Sequence, residues 1–175
     1  MCDRYVVDTN VLIAASSADP VHPKDIDATP QDPALRLRVW SWLKVFRESE
    51  DRLVLDLQQG ILSEYKNKLG FNDFGIQVVM HKWSTCAVDD VNVMYDEGGH
   101  GVLPRSLSPV IHDLDDRKMV AACLDAIGLY EVCQIAFAGD TDWHDWEAAL
   151  AEHGVNLLPI IEDWSRQRHA EKKGR

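Results

Sequence analysis

The sequence predicts an α/β protein, a three-layer α/β/α sandwich around a mainly parallel central sheet. Three observations lead there. Short runs of β-formers end at or just before an Asp, as in RYVVD at 4–8 and RLVLD at 52–56. Segments with helical spacing of apolar residues alternate with these runs, the pattern of strand–helix–strand units. One run, VCQIAFA at 132–138, is almost continuously apolar, as a strand covered on both faces must be.

Residues 4–8 form the first expected strand. Thr9 and Asn10 open a helix through VLIAAS, with Asn10 as its N-cap. Residues 16–33 carry four prolines and many short polar residues, so a loop is expected. Leu35, Val39, Trp42, Leu43 and Phe46 share one face of a helix over 34–48. A second strand covers 52–56. Ile61, Leu62, Tyr65 and Leu69 mark a helix after Gly60, and Ile76, Val79, Met80 and Trp83 another over 74–84. Residues 86–112 read as a long surface loop with a short hairpin about Gly98-Gly99. A helix starts at Asp113, with Met119, Val120, Cys123 and Ile127 as its apolar stripe. The strand at 132–138, a helix over 142–153 and a last strand within 155–161 complete the order. The chain divides into a single domain, 1–164, and a basic tail, 165–175, expected to fray because it has no apolar face to bury.

The net charge is −11, and it is uneven: the tail holds five Lys or Arg and one Glu, which leaves 13 basic and 28 acidic residues in the body. A body this acidic repels nucleic acid unless cations intervene, which argues against a simple nucleic-acid-binding module but not against a metal-dependent enzyme. No apolar stretch reaches the about 18 residues of a membrane span, and the N-terminus lacks the features of a signal peptide. Cys2, Cys86, Cys123 and Cys133 show neither CxxC pairing nor finger spacing, so buried thiols in a cytoplasmic protein are expected rather than zinc or disulfides.

In an open parallel sheet, function gathers at the carboxyl ends of the strands. Asp8, Asp56 and Asp140 stand at such ends, and Glu64 and the Asp113, Asp115 and Asp116 cluster near helix starts. Converging carboxylates resist joint ionisation unless a cation sits among them. Oxygen ligands without His or Cys select Mg²⁺ or Mn²⁺, and such ions promote phosphodiester hydrolysis. Each acid also has an ordinary structural role: Asp8 and Asp56 in turns, Asp113 and Asp116 as a capping pair at a helix start, Glu64 as a solvated helical residue.

The combination is more specific than its members. YVVDTNVLIAA, GILSEYKNKL, LDDRKMVAACLDA and IAFAGDTDW resemble, in order, the four motifs of PIN-domain nucleases. The resemblance implies an α/β/α sandwich and an endoribonuclease that uses Mg²⁺ or Mn²⁺. Its catalytic acids would be Asp8, Glu64, Asp116 and Asp140. Asp8, Asp116 and Asp140 would be metal ligands with Asp142 as an accessory, and Glu64 would orient a water or hold a second ion. Asn10 and Thr9 would support the first Asp. The implied partners are an RNA substrate and an antitoxin or other protein, with a homodimer among the assemblies and no membrane. One departure stands out: Ala138 occupies a position where the family often has Thr or Ser. The chain also exceeds a minimal toxin through 16–33 and 86–112.

Two other readings remain open at this point. One is a PIN-like scaffold with little turnover that binds a protein partner, motivated by Ala138 and by Trp40 and Trp42, which cannot both face a core. The other is a nuclease directed at DNA. Trp143 and Trp146 share a helix face and are expected in the core, although Trp143, next to Asp142, could wall the cleft. Arg105 and Arg117 are the basic residues nearest the acids, and the tail could guide RNA to an acidic body.

Overall fold

The computed structural model describes residues 2–175. Five strands form one sheet: β1 (Arg4–Val7), β2 (Arg52–Asp56), β3 (Val88–Val91), β4 (Gln134–Phe137) and β5 (Asn156–Pro159). Their order is β3-β2-β1-β4-β5, and every pairing is parallel. Seven helices connect them: α1 (Thr9–Ser17), α2 (Pro33–Glu48), α3 (Gly60–Lys68), α4 (Phe74–Ser84), α5 (Arg117–Tyr130), α6 (Trp143–Glu152) and α7 (Glu162–Lys173). The fold is the α/β/α sandwich expected from the alternating pattern.

The central strands are buried after their first residue, with Val6, Val7, Val54, Ile135, Ala136 and Phe137 inaccessible to solvent. Such strands need helices on both faces. The chain moves from β1 outward to β2 and β3, then returns to β4 and β5 on the other side of β1. Right-handed crossovers place α1–α4 on one face and α5 and α6 on the other. α1, α2 and α4 pack on one another, and α5 spans β1 to β4. The direction of winding reverses between β1 and β4, so a crevice opens beyond their carboxyl ends. Asp8 and Asp140 flank that crevice.

Five expectations about elements need correction. The segment 86–112 is not all loop, because Val88–Val91 extends the sheet as β3. Its sequence, VDDV, hides the strand. Asp89 is admitted because Arg4 and Arg52 each donate to Oδ2 at 2.8 Å. The expected hairpin is reduced to an antiparallel bridge, Tyr95 to Gly101. The helix expected from Asp113 begins at Arg117. Asp113 Oδ1 instead accepts from the Asp115 amide at 2.9 Å and shapes the preceding turn. Asn10 is not an N-cap: Asp8 holds that position and Asn10 lies inside α1.

The tail does not fray. Residues 162–173 form α7, held to α6 by long-range pairs: His169 and Lys173 reach Asp145 Oδ1 at 2.9 and 2.7 Å, and Arg166 reaches Glu147 at 3.0 Å. Ser165, fully buried, also meets His144 Nε2 at 2.9 Å. Charge complementarity with an acidic helix replaces the apolar face that α7 lacks.

Trp40 and Trp42 are both half-buried, Trp42 stacked on Phe46 and edge-on to Tyr5. Cys123 and Cys133 are buried thiols as expected, whereas Cys86 is exposed and Cys2 half-buried. Among the described residues no helix is long and apolar enough to cross a membrane.

Candidate functional site

Asp8 follows the last residue of β1 and continues its ladder, its amide donating to Ala136 O at 2.9 Å. Its side chain enters the crevice between β1 and β4 and is only 4% exposed. Asp140 reaches the same place from the turn after β4. Asp116 comes from the turn before α5, and Glu64 from the second turn of α3. The four acids are electrostatic neighbours. Burial raises the pKa of Asp8 well above the carboxylate range, and Asp140 and Glu64 raise it further. Burial first, then Asp8, Asp140, Asp113 and Glu64, pushes Asp116 up to about 9. Burial also raises Asp140, against the hydrogen bond it accepts from the Asp142 amide.

The carboxylates differ in how their oxygens are used. Glu64 Oε1 accepts from the Thr9 hydroxyl, and Oε2 is paired with the Lys118 ammonium. Oδ2 of Asp8 and Oδ2 of Asp116 are buried without any partner, as is the hydroxyl of Thr141. Buried polar atoms are seldom left unpaired, because desolvation without a hydrogen bond costs about 1–3 kcal/mol each. Trp143 lies fully buried behind Asp8. Its indole N–H faces that carboxylate and lowers its pKa but stops short of a formed hydrogen bond.

The other residues expected at the site sort differently. Asp142 stands on the rim, where it offers its amide to Asp140 and its Oδ1 lies 3.4 Å from Lys172 Nζ. Thr9 supports Glu64 through its hydroxyl, while its backbone N–H serves Asp8. Asn10 does not touch Asp8 with its side chain. It donates to Thr29 O at 2.8 Å and accepts from the Gly139 amide at 2.7 Å, clamping the turn that carries Asp140. Gly139 is required there, since a Cβ would stand 2.0 Å from Thr29 O. Asp56 is structural: it accepts from the Gly60 and Ile61 amides at 2.9 Å and the Tyr95 hydroxyl at 2.8 Å, fixing the start of α3. Arg117 turns away from the acids to Ile111 O and Ser108 O, at 3.0 and 2.6 Å. Trp143 is core rather than cleft wall.

Sequence reasoning missed Lys118 and Thr141, and it noted the basic tail without the helix that sets Arg168 and Lys172 beside Asp140. Lys118 was visible only as one residue of an amphipathic helix. Thr141 adjoins Asp140 and could have been noted as a hydroxyl near the position where Ala138 lacks one. Beside Asp140, a groove of about 440 Å³ is lined by Asn10, Thr29, Gly139, Thr141, Arg168 and Lys172.

Among the described residues no three His, Cys, Asp or Glu side chains are already gathered in a form that could hold a metal ion. The acids are neighbours around a crevice, not a finished cage. Their chemistry still fits a hard cation: only oxygen donors converge, two are buried and unpaired, and burial together with the neighbouring carboxylates raises the pKa values of Asp8 and Asp116. Compared with known proteins, the chain matches no family model, no curated protein and no solved structure.

Proposed function

We propose that this protein is a Mg²⁺- or Mn²⁺-dependent nuclease of the PIN type, an endoribonuclease that hydrolyses phosphodiester bonds. The observation that carries the reading is the pair of buried, unpartnered carboxylate oxygens on Asp8 and Asp116 beside Asp140 and Glu64. The four ordered sequence motifs add to it, as does the parallel sheet with the acids at its carboxyl edge.

Asp8, Asp116 and Asp140 would hold the ion. When bound, it would lower the pKa of a water and stabilise charge on the scissile phosphate. The protein contributes orientation. Asn10 fixes the Asp140 turn, Thr9 and Lys118 fix Glu64, and Trp143 and the strand core keep water from the inner side of Asp8. Arg168 and Lys172 line the groove next to Asp140 and supply positive charge where a phosphate backbone has to approach an acidic body.

The test is cleavage of matched RNA and DNA substrates with Mg²⁺ or Mn²⁺, by the wild type and by Asp8→Asn and Asp116→Asn. Metal-dependent RNA cleavage lost in both variants is expected. Equal rates in the Asp8→Asn protein would exclude the site, and preference for DNA would redirect the substrate. Growth arrest on expression of the wild type but not of Asp8→Asn would support a toxin role with an antitoxin partner. Of the grounds for the scaffold reading, Ala138 stands as it did, whereas Trp40 and Trp42 are half-buried and packed against Phe74, Tyr5 and Phe46.

A further inference from the structure

The acids of the crevice divide into two groups by what already satisfies them. Both oxygens of Glu64 are taken, one by Thr9 and one by Lys118. The Lys118 ammonium is not a loose surface charge. Its side chain is 11% exposed, and Nζ also donates to Asp115 O at 2.7 Å. Its backbone is fixed from outside. Gly101 presses on the first turn of α5 so closely that a Cβ there would lie 2.7 Å from the Cα and N of Lys118. Asp8 Oδ2 and Asp116 Oδ2, in contrast, are buried and free.

We infer that Lys118 is a built-in cation of the centre: its ammonium holds Glu64, so that the site takes one divalent ion, on Asp8, Asp116 and Asp140, instead of two. The inference rests on the metal-dependent reading above and deepens it. In an acidic site built for two ions, the second would need an acid whose oxygens are open. With Asp8, Asp116 and Asp140 given to the first ion, Glu64 is the remaining acid of the four, and a second ion could use it only by displacing an ammonium that is 11% exposed and also held by Asp115 O. The ammonium and a divalent ion on the same carboxylate would repel each other at close range. A fixed ammonium requires no ion to be recruited and neutralises the Glu64 carboxylate independently of metal concentration. Lys118 is therefore a positioning residue for Glu64.

The experiment is Mn²⁺ stoichiometry on the full chain, by equilibrium dialysis with detection of free Mn²⁺ by electron paramagnetic resonance. The wild type should bind one ion that disappears in Asp8→Asn. Lys118→Met, nearly the same shape without the charge, should bind two. The second should vanish in Lys118→Met/Glu64→Gln, which separates it from ions scattered over an acidic surface. Lys118→Arg should still bind one. Two Glu64-dependent ions in the wild type, or a single ion in folded Lys118→Met, would overturn the inference while leaving the nuclease reading intact. No ion in the wild type up to millimolar Mn²⁺ would refute the metal centre itself. If Lys118→Met does not give a cooperative thermal melt, Lys118→Gln carries the same two-ion expectation.

Discussion

At the scale of residues, Asp8 and Asp116 are placed against the interests of stability. Each buries a carboxylate with one oxygen unpartnered, among like charges. Strain of this kind is characteristic of functional sites. Asp8→Asn and Asp116→Asn should therefore cut nuclease activity about 100-fold or more, since a metal ion contributes several kcal/mol to such transition states. The same substitutions should leave the metal-free melting temperature unchanged or raise it, because a neutral amide replaces an acid that must take up a proton to be buried there. Calorimetry beside the cleavage assay checks both, and a fall in melting temperature would show that the carboxylates are structural. Asp56 should behave in the opposite way. It accepts three hydrogen bonds at the start of α3, so Asp56→Ala should cost about 3 kcal/mol in denaturant unfolding. In the Asp56→Ala protein the loss of activity should follow the loss of folded protein.

At the scale of elements, the sheet and helices deliver side chains to the crevice through contacts far apart in sequence. Asn10 and Gly139 are 129 residues apart, and their hydrogen bond ties α1 to the turn after β4. Arg4 and Asp89 are 85 apart, and their pair admits β3 to the edge of the sheet. Within Asp89, burial raises the pKa, but hydrogen bonds from Arg52 and Arg4 outweigh it and leave it below the ordinary value. α7 is the element whose behaviour departs most from its sequence. Amide hydrogen exchange should show residues 165–171 protected rather than exchanging at the rate of a free tail. That protection should weaken at high salt, since most of the pairs holding α7 are half-exposed and screened by ions. Free-tail exchange at low salt would contradict the docked helix.

At the scale of the whole molecule, the site couples stability to pH. Asp116 has a folded pKa of about 9, above the ordinary carboxylate value near 3.8 that it has when unfolded. Between these values the folded state holds more protons, so the metal-free protein loses stability as pH rises from about 4 to about 9. In the proposed metal centre a divalent ion would replace the proton. Mn²⁺ should therefore raise the melting temperature more at pH 8.5 than at pH 6, and its binding should release protons, measurable by calorimetry in buffers of different ionisation enthalpy. An equal thermal shift at both pH values would separate Mn²⁺ binding from these carboxylates. The net charge of −11 makes the rest of the surface repel a polynucleotide, so an approach through Arg168 and Lys172 should weaken steeply with salt.

The sequence by itself determined the α/β class and every α-helix with a clear apolar stripe, and it offered a set of candidate acids that included Asp8, Glu64, Asp116 and Asp140. Helical periodicity and strand-end position are local properties of the chain, so they survive without tertiary information. Only the tertiary structure decided that Val88–Val91 is a strand, that α5 begins at Arg117 and not at Asp113, and that α7 docks. It alone separated Asp8 and Asp116, with open oxygens, from Glu64, held by Lys118, and from Asp142, drawn to Lys172 at the rim. Those distinctions depend on which charges lie opposite one another across the fold. A charge's partner is set by packing between distant segments, and no local pattern encodes it.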